Sequence, residues 1–294
     1  MTIEYTNKEM NEMIVEQSGQ ETYERATWRV IESGLRDGAT NMAVDEAIVE
    51  AVSAGISPPT LRFYGWEPAC LSLGYGQEWE IADVENCATL GWDIVRRPTG
   101  GRAILHVDEL TYSVAAPENE PRVVGGILES YKRLSEALLV GLHLMGLEPT
   151  RAQPYYSDHG PLGPACFDGP SNYEITMGQM KLLGSAQARR RGMVLQHGTL
   201  PLYGDITRIV DALHFDQPGQ RTATRLRLRY RATTVMQSLG RRVEFADAVN
   251  FMREGFARRL NLELVAGELS AAEQARAAEI RREKFANDAW TRRI

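Results

Sequence analysis

NYEITMGQMKLLGSAQARRRGMVLQHGTLPL, residues 172–202, decides the fold. Three β-rich runs, NYEITM, KLLGSAQAR and MVLQHGTLPL, follow one another, separated at Gly178-Gln179 and at Arg191-Gly192. Glycine beside a polar residue is turn chemistry, so the runs pair as antiparallel hairpins. Upstream, TWRVIESG (27–34), LRFYGW (61–66), CLSLGYG (70–76), WDIVRR (92–97) and LTYSVAAP (110–117) read as further strands, with WEPA (66–69) as a turn. Residues 41–55 read as a helix closed by Gly55. A clearer helix spans 127–145, where Ile127, Leu128, Tyr131, Leu134, Leu138 and Leu142 recur at three- and four-residue spacing and must pack on a sheet. Hairpins interleaved with helices predict an α+β fold, a mixed, partly antiparallel sheet flanked by helices.

The chain has 294 residues, 43% of them hydrophobic and 24% charged, which is the balance of a folded globular protein. Residues 1–24 are polar and are expected to form an N-terminal arm, ahead of a main domain over 25–240. A short helix is expected over 205–213. Residues 241–294 turn charged and helix-rich, and are expected to pack on the main domain as an appendage with a strand-like LELV at 262–265. The opening lacks a basic start and an apolar core, so no secretory signal is expected, and no run of about 18 apolar residues predicts a membrane span. Cys70, Cys87 and Cys166 are odd in number and widely spaced, which argues for free thiols in a reducing, cytoplasmic setting. A net charge of −6 weighs against nucleic acid. Arginines nevertheless concentrate at 189–191 and 221–231. The second group alternates as RLRLRYR, the pattern of an exposed strand whose basic residues discourage edge pairing, or equally of a face that docks an acidic protein.

RRPTGGRAILH, residues 96–106, joins two glycines, several cations and a histidine at the end of a strand. Glycines let backbone approach a ligand, and arginine binds carbonyl, carboxylate or phosphate. The segment lacks the Lys-Ser/Thr that follows glycine in a phosphate loop, and it is not G-x-G-x-x-G. By itself it also reads as a Gly-Gly turn with exposed arginines. Lys181 opens a strand that is otherwise apolar and small, so it can point inward, although lysines are ordinarily solvated. Five of the thirteen prolines fall within 149–170, which forbids a regular helix there and makes a long shaped loop around Cys166. His106 and His197 are candidates for a pocket or for satisfied core positions. HVDE (106–109) and Asp158-His159 carry metal-ligand residue types without H-E-x-x-H or a cysteine cluster, so no metal is expected.

Taken together, RRPTGGRAILH, GQMK at 178–181, GSA at 184–186 and HGT at 197–199 resemble the family of biotin and lipoate protein ligases and octanoyltransferases. The order and spacing match, and the likeness continues in NMAVDEAI, LSLGYGQ and EKFANDAW, nearly everything after the arm. The resemblance implies the catalytic fold of that family. Within it, ACFDGPSNYEI at 165–175 looks like the cysteine-dependent octanoyltransferases, in which this cysteine carries the acyl group and a lysine lies fifteen residues on, as Lys181 of GQMK does here. ATP-dependent lipoate ligases typically show Asn-Asp-[IL] nearby, and Asn172-Tyr173-Glu174-Ile175 departs from it.

The resemblance implies Cys166 and Lys181 as catalytic residues. It implies substrate binding by Arg97, Thr99, Gly100, Gly101, His106, Gly184, Ser185, Ala186, His197 and Gly198. A lysine ammonium beside a thiol favours the reactive thiolate, which gives the pairing a physical sense. Cys70 and Cys87 lack such a partner and read as structural. The implied reaction takes octanoyl from acyl carrier protein, passes it through a Cys166 thioester, and delivers it to a lysine of a lipoyl domain or of glycine cleavage H protein, without ATP or metal. The alternatives are an ATP-dependent lipoate-protein ligase, in which Lys181 contacts an acyl-adenylate, and a non-catalytic lipoyl-protein or nucleic-acid binding module.

Overall fold

Every residue of strand β2 (Thr60–Trp66) is buried, which puts it in the interior of a sheet covered on both faces. The computed structural model, which describes residues 23–151, 164–168 and 174–294, has that arrangement. The main sheet also contains β1 (Ala26–Arg36), β6 (Glu109–Pro117), β7 (Thr150–Arg151), β8 (Ile175–Met177), β9 (Met180–Arg190), β10 (Met193–Pro201) and β11 (Leu262–Ala266). Its order is β11-β1-β2-β6-β10-β9-β8-β7. The β11, β1 and β2 strands run parallel, and the remaining neighbours are antiparallel. The mixed sheet expected from the hairpins is therefore present. At the β9–β10 turn Arg191 and Gly192 both take positive φ, the requirement of a tight hairpin. A smaller sheet pairs β3 (Cys70–Leu73) with β4 (Asp93–Arg96) in parallel and with β5 (Ile104–His106) antiparallel.

The helices are α1 (Gly38–Ser53), α2 (Val84–Thr89), α3 (Ile127–Leu144), α4 (Pro218–Arg231), α5 (Val235–Leu239), α6 (Phe245–Arg259), α7 (Ala271–Ile280) and α8 (Asp288–Thr291). The period-2 alternation of the central strands sorts their side chains between two layers. Leu61 and Phe63 of β2, with Leu110, Tyr112 and Val114 of β6, meet Leu134, Leu138, Val249, Met252 and Phe256 of α3 and α6 in one apolar core. The α3 and α6 backbones cross closely: a Cβ on Gly255 would fall 2.5 Å from the Ala137 carbonyl oxygen. The opposite face carries Tyr64 and Trp66, which pack with Met42 and Ile48 of α1. A third apolar cluster joins Leu71, Leu73, Ala103, Ile104, Ala165, Phe167 and Leu228 around the smaller sheet.

Residues 241–294 are helix-rich as expected, and their strand β11 completes an edge of the main sheet beside β1. Lys284, in the π-helical turn Arg281–Phe285, bonds Glu46 of α1 at 2.5 Å. The expected short helix at 205–213 is a 3-10 helix, Ile206–Ala212. The expected arm lies outside the described residues, apart from Tyr23 and Glu24.

One expectation is overturned. The RLRLRYR stretch is helical, the second half of α4, and not an exposed strand. Proline opens the helix, Gln217 and Gln220 form its capping box, and arginine and leucine are strong helix formers. Arg221 and Arg225, one helical turn apart, pair with Asp83 and Asp211 outside the helix.

On the α1-facing side of the sheet, Asp45 is wholly buried. Its carboxylate pairs with Arg62 Nη1 at 2.7 Å and accepts from Ser113 Oγ at 2.8 Å and Tyr64 OH at 2.9 Å. Burial raises the pKa of this carboxyl, but Arg62 and His197 outweigh it and hold the group below the ordinary range. The Asp45→Ala substitution leaves the Arg62 guanidinium unpaired in the interior. It is expected to lower stability by about 3–5 kcal/mol, read from urea unfolding.

Candidate active site

Two strand alternations build the floor of a cavity of about 120 Å³: Tyr64 and Trp66 from β2, and His197 and Thr199 from β10. Thr111 of β6, Met42 of α1 and Ile104 and His106 of β5 extend the walls. Gly101, Arg102, Cys166, Ser185 and Ala186, which keep some exposure, form the mouth, and Arg97, Glu174 and Gly184 line its buried wall.

The Gly-Gly segment is braced from three directions. A Cβ on Gly74 would fall 1.9 Å from the Gly101 oxygen, so the LSLGYG run needs glycine for the two chains to touch. Gly101 itself has φ +89. Arg97 Nη2 donates to the carbonyls of Gly100 and Arg102, both at 2.8 Å, and Nη1 donates to the Ser72 carbonyl at 3.0 Å. This buried guanidinium, pushed down to about 10 by burial against the opposing pull of Cys166, clamps the loop while lining the cavity. Behind the segment, Trp290 Nε1 donates to the Arg96 carbonyl at 2.8 Å, and Arg96 Nε donates to the Thr291 carbonyl at 2.9 Å. The terminal residues thus support a site distant in sequence.

The same segment carries the cysteine. Ala103 N donates to the Pro164 carbonyl and Cys166 N to the Ala103 carbonyl, at 3.0 and 2.8 Å. Cys166 begins a 3-10 turn, Cys166–Asp168, and is partly exposed at the cavity. Lys181 is fully buried. Its Nζ lies 3.1 Å from Cys166 Sγ, 3.0 Å from the Cys166 carbonyl and 2.5 Å from Glu174 Oε1. Burial lowers its pKa, yet Cys166 and Glu174 outweigh burial, and the ammonium ends above its ordinary value. Gly184 leaves space at this point, since a Cβ there would meet Lys181 Cε at 2.8 Å and Cys166 Sγ at 3.6 Å.

The two histidines are fully engaged. His106 stacks on Trp66 at 3.9 Å, with Nδ1 2.7 Å from Glu109 and Nε2 2.8 Å from Ser72 Oγ. His197 Nε2 lies 2.6 Å from Thr99 Oγ1, and its Nδ1 faces Asp45 at 3.7 Å. Burial lowers the His197 pKa against the opposing pull of Asp45. Ser185 Oγ bonds Tyr112 OH at 2.7 Å. Gly198 is squeezed between Ser185 and Tyr112, where a Cβ would approach within 2.5 Å of each.

Of the residues singled out from sequence, Cys166, Arg97, Gly101, His106, Gly184, Ser185, Ala186, His197 and Gly198 line the cavity. Lys181 and Thr99 stand directly behind it, and Gly100 lies in its bracing loop. Cys70 and Cys87 are buried away from it, with thiols that burial pushes up, Cys87 to about 11. Sequence reading passed over Glu174, Tyr64, Trp66, Thr111 and Asp45. Their signal was polar or aromatic residues on one face of wholly buried strands, or an acid on an apolar helix face.

A family model for the Lipoyl protein ligase A/B catalytic domain matches residues 37–257, and the chain belongs to that family. An Octanoyltransferase LipM of Kyrpidia tusciae is 41% identical over 274 residues, spanning 91% of this chain and 99% of the relative. The LipM of Moorella thermoacetica is 42% identical over 271 residues, spanning 91% and 98%. Such similarity along nearly the whole length places the chain among the family's octanoyltransferases. Among solved structures, a lipoate protein ligase of Thermoplasma acidophilum, described as bi-partite and studied with its E2 lipoyl domain, superposes with a TM-score of 0.77 at 22% identity, over 90% of this chain and 96% of that one. Another Thermoplasma acidophilum structure, a putative lipoate protein ligase with bound lipoic acid, gives 0.75 at 21% identity, over 92% and 100%. These structural likenesses establish the fold.

The crowding at Gly184 yields a test. Gly184→Ala pushes a methyl group into Lys181 and is expected to slow acyl transfer by about tenfold or more, through misplaced chemistry and not through unfolding. Rate measurements paired with thermal unfolding check this.

Proposed function

We propose that the chain moves an octanoyl group from acyl carrier protein, through a thioester on Cys166, to a lysine of a lipoyl domain or of glycine cleavage H protein. The observation that carries this reading is the buried Lys181 Nζ, 3.1 Å from a partly exposed Cys166 Sγ at the mouth of a cavity. An ammonium there stabilises the thiolate nucleophile. The thiolate bonds the carbonyl carbon of the donor thioester, and the donor thiolate departs and takes a proton from water. The amine of the acceptor lysine then displaces Cys166. Thioester to amide runs downhill, so the reaction needs neither ATP nor a metal, and the enzyme mainly positions groups and stabilises an oxyanion. Backbone amides at Gly100, Gly101 and 184–186 are the proposed oxyanion donors.

Met42, Tyr64, Trp66 and Ile104 offer the acyl tail an apolar wall. At roughly 0.8 kcal/mol per methylene, a seven-carbon tail gains about 5 kcal/mol there. Among the described residues no helix is long and apolar enough to cross a membrane. Helix α4 is the proposed docking face for carrier protein. Its end leads to Thr233, whose amide donates to the Lys181 carbonyl at 3.0 Å, so the basic helix adjoins the nucleophile.

Intact mass measurement of the protein mixed with octanoyl-carrier protein, without ATP, is expected to give an octanoyl adduct that Cys166→Ala abolishes. Acylation that persists in the variant, or that requires ATP, sinks the reading. Reversing the charge of Arg227 and Arg229 spares the ion pairs of Arg221 and Arg225. It is expected to raise KM for carrier protein by about tenfold, with turnover of a small octanoyl thioester unchanged. Steady-state kinetics with both donors check this.

A further inference from the structure

Glu174 grips the far side of the same ammonium. Its Oε1 lies 2.5 Å from Lys181 Nζ, both side chains are almost completely buried, and Glu174 lines the cavity. We propose that Glu174 is a positioning residue that keeps Lys181 charged through both halves of the reaction, so that the ammonium is present when the acyl group leaves Cys166. This rests on the thioester reading above.

Charge bookkeeping across the two steps gives the reason. Before acylation the trio consists of a Cys166 thiolate, a Lys181 ammonium and a Glu174 carboxylate. Acylation forms the bond from Sγ to the carbonyl carbon, breaks that carbon's bond to the donor sulfur, and leaves Cys166 neutral. Lys181 has then lost one of its two anionic partners inside a closed pocket. A buried ammonium without a partner sheds its proton, whereas a paired one keeps it. Glu174 is the partner that remains. In the second half, the free amine of the acceptor bonds the carbonyl carbon, the bond from that carbon to Sγ breaks, and its electron pair returns to sulfur. The surplus proton on nitrogen passes to water. The ammonium must be in place at that moment to receive the returning thiolate.

Among the described residues, Lys181 Nζ hydrogen-bonds Cys166 and Glu174. The Phe167 ring lies 5.0 Å from it. Among the described residues, Arg97, which faces Cys166, and Tyr131 of α3, which faces Glu174 and Cys166, also act electrostatically on the trio. Burial pulls the Lys181 pKa down, and Cys166 and Glu174 together turn the balance upward. Acylation cancels the first of these contributions and leaves the second.

Removing the Glu174 charge therefore acts in opposite directions on the two steps. A carboxylate near a thiol opposes its ionisation, so Glu174→Gln leaves Cys166 as easily ionised as before, or more easily. In the acyl-enzyme of the variant the ammonium keeps the neutral Cys166 carbonyl and no anionic partner, its pKa falls, and its proton is lost as pH rises. The test alkylates Cys166 with iodoacetamide as a function of pH, and separately follows decay of preformed octanoyl-enzyme with a lipoyl domain in single turnovers. In Glu174→Gln the alkylation midpoint is expected to stay or move to lower pH. Deacylation slows by roughly tenfold or more relative to wild type, and the deficit grows between about pH 6 and about pH 9. Glu174→Asp is expected to restore part of the rate. Deacylation matching wild type in rate and pH profile overturns the proposal, and so does a parallel loss of alkylation and deacylation. Wild-type protein that forms no octanoyl adduct on Cys166 defeats the thioester reading instead, and that result is separate from either outcome in the variant.

Discussion

A fully buried ammonium has to be surrounded by acceptors, and meeting that requirement at Lys181 organises the elements around the cavity. The side chain draws in the Cys166 turn through its carbonyl and sulfur, and the entry to β8 through Glu174. Its backbone carbonyl accepts from Thr233, just beyond α4. Two turns within fifteen residues of the lysine therefore converge on the cation, and the distant Thr233 holds its backbone. Leaving such a charge without partners costs far more than any of these contacts contributes singly.

The same logic extends across the polar face of the main sheet. Buried polar groups must be paired, and here they pair with one another in a continuous set. Arg62 is held by Asp45, Asn41 and Ser33, and Asp45 in turn reaches Tyr64, Ser113 and His197. His197 meets Thr99 of the Gly-Gly segment. The cavity is thus shaped by satisfied groups that hold fixed positions, the condition that the proposed acyl transfer sets. The α3 and α6 core packs on the other face of the same strands, and Tyr112 links it to the site through Ser185.

The fold was legible where local chemistry and periodicity agreed. The hairpins around Gly178 and Gly192, the α3 periodicity and the Gly55 helix end were all readable, and the mixed sheet followed from them. RLRLRYR shows the opposite case. An alternating pattern satisfies a strand, but the proline and capping box before it and the helix propensity of arginine and leucine make it a helix. The site was readable to the extent that its glycines, cysteine and lysine form a recognisable string. Glu174 stood inside that string and passed unnoticed, because nothing in one dimension says that a glutamate seven residues before a lysine shares its charge.

The sequence by itself determined the class of fold, because turn residues and hydrophobic period are local properties, while the resemblance of its motifs to a known family implied the segments of the pocket and the pairing of Cys166 with Lys181. Tertiary structure alone decided that Glu174 completes that pair, that Arg97 clamps the Gly-Gly segment, and that Trp290 and Thr291 brace it from the far end of the chain. Those contacts depend on which buried charges and carbonyls face each other once the layers close, and burial is a property of the whole folded chain.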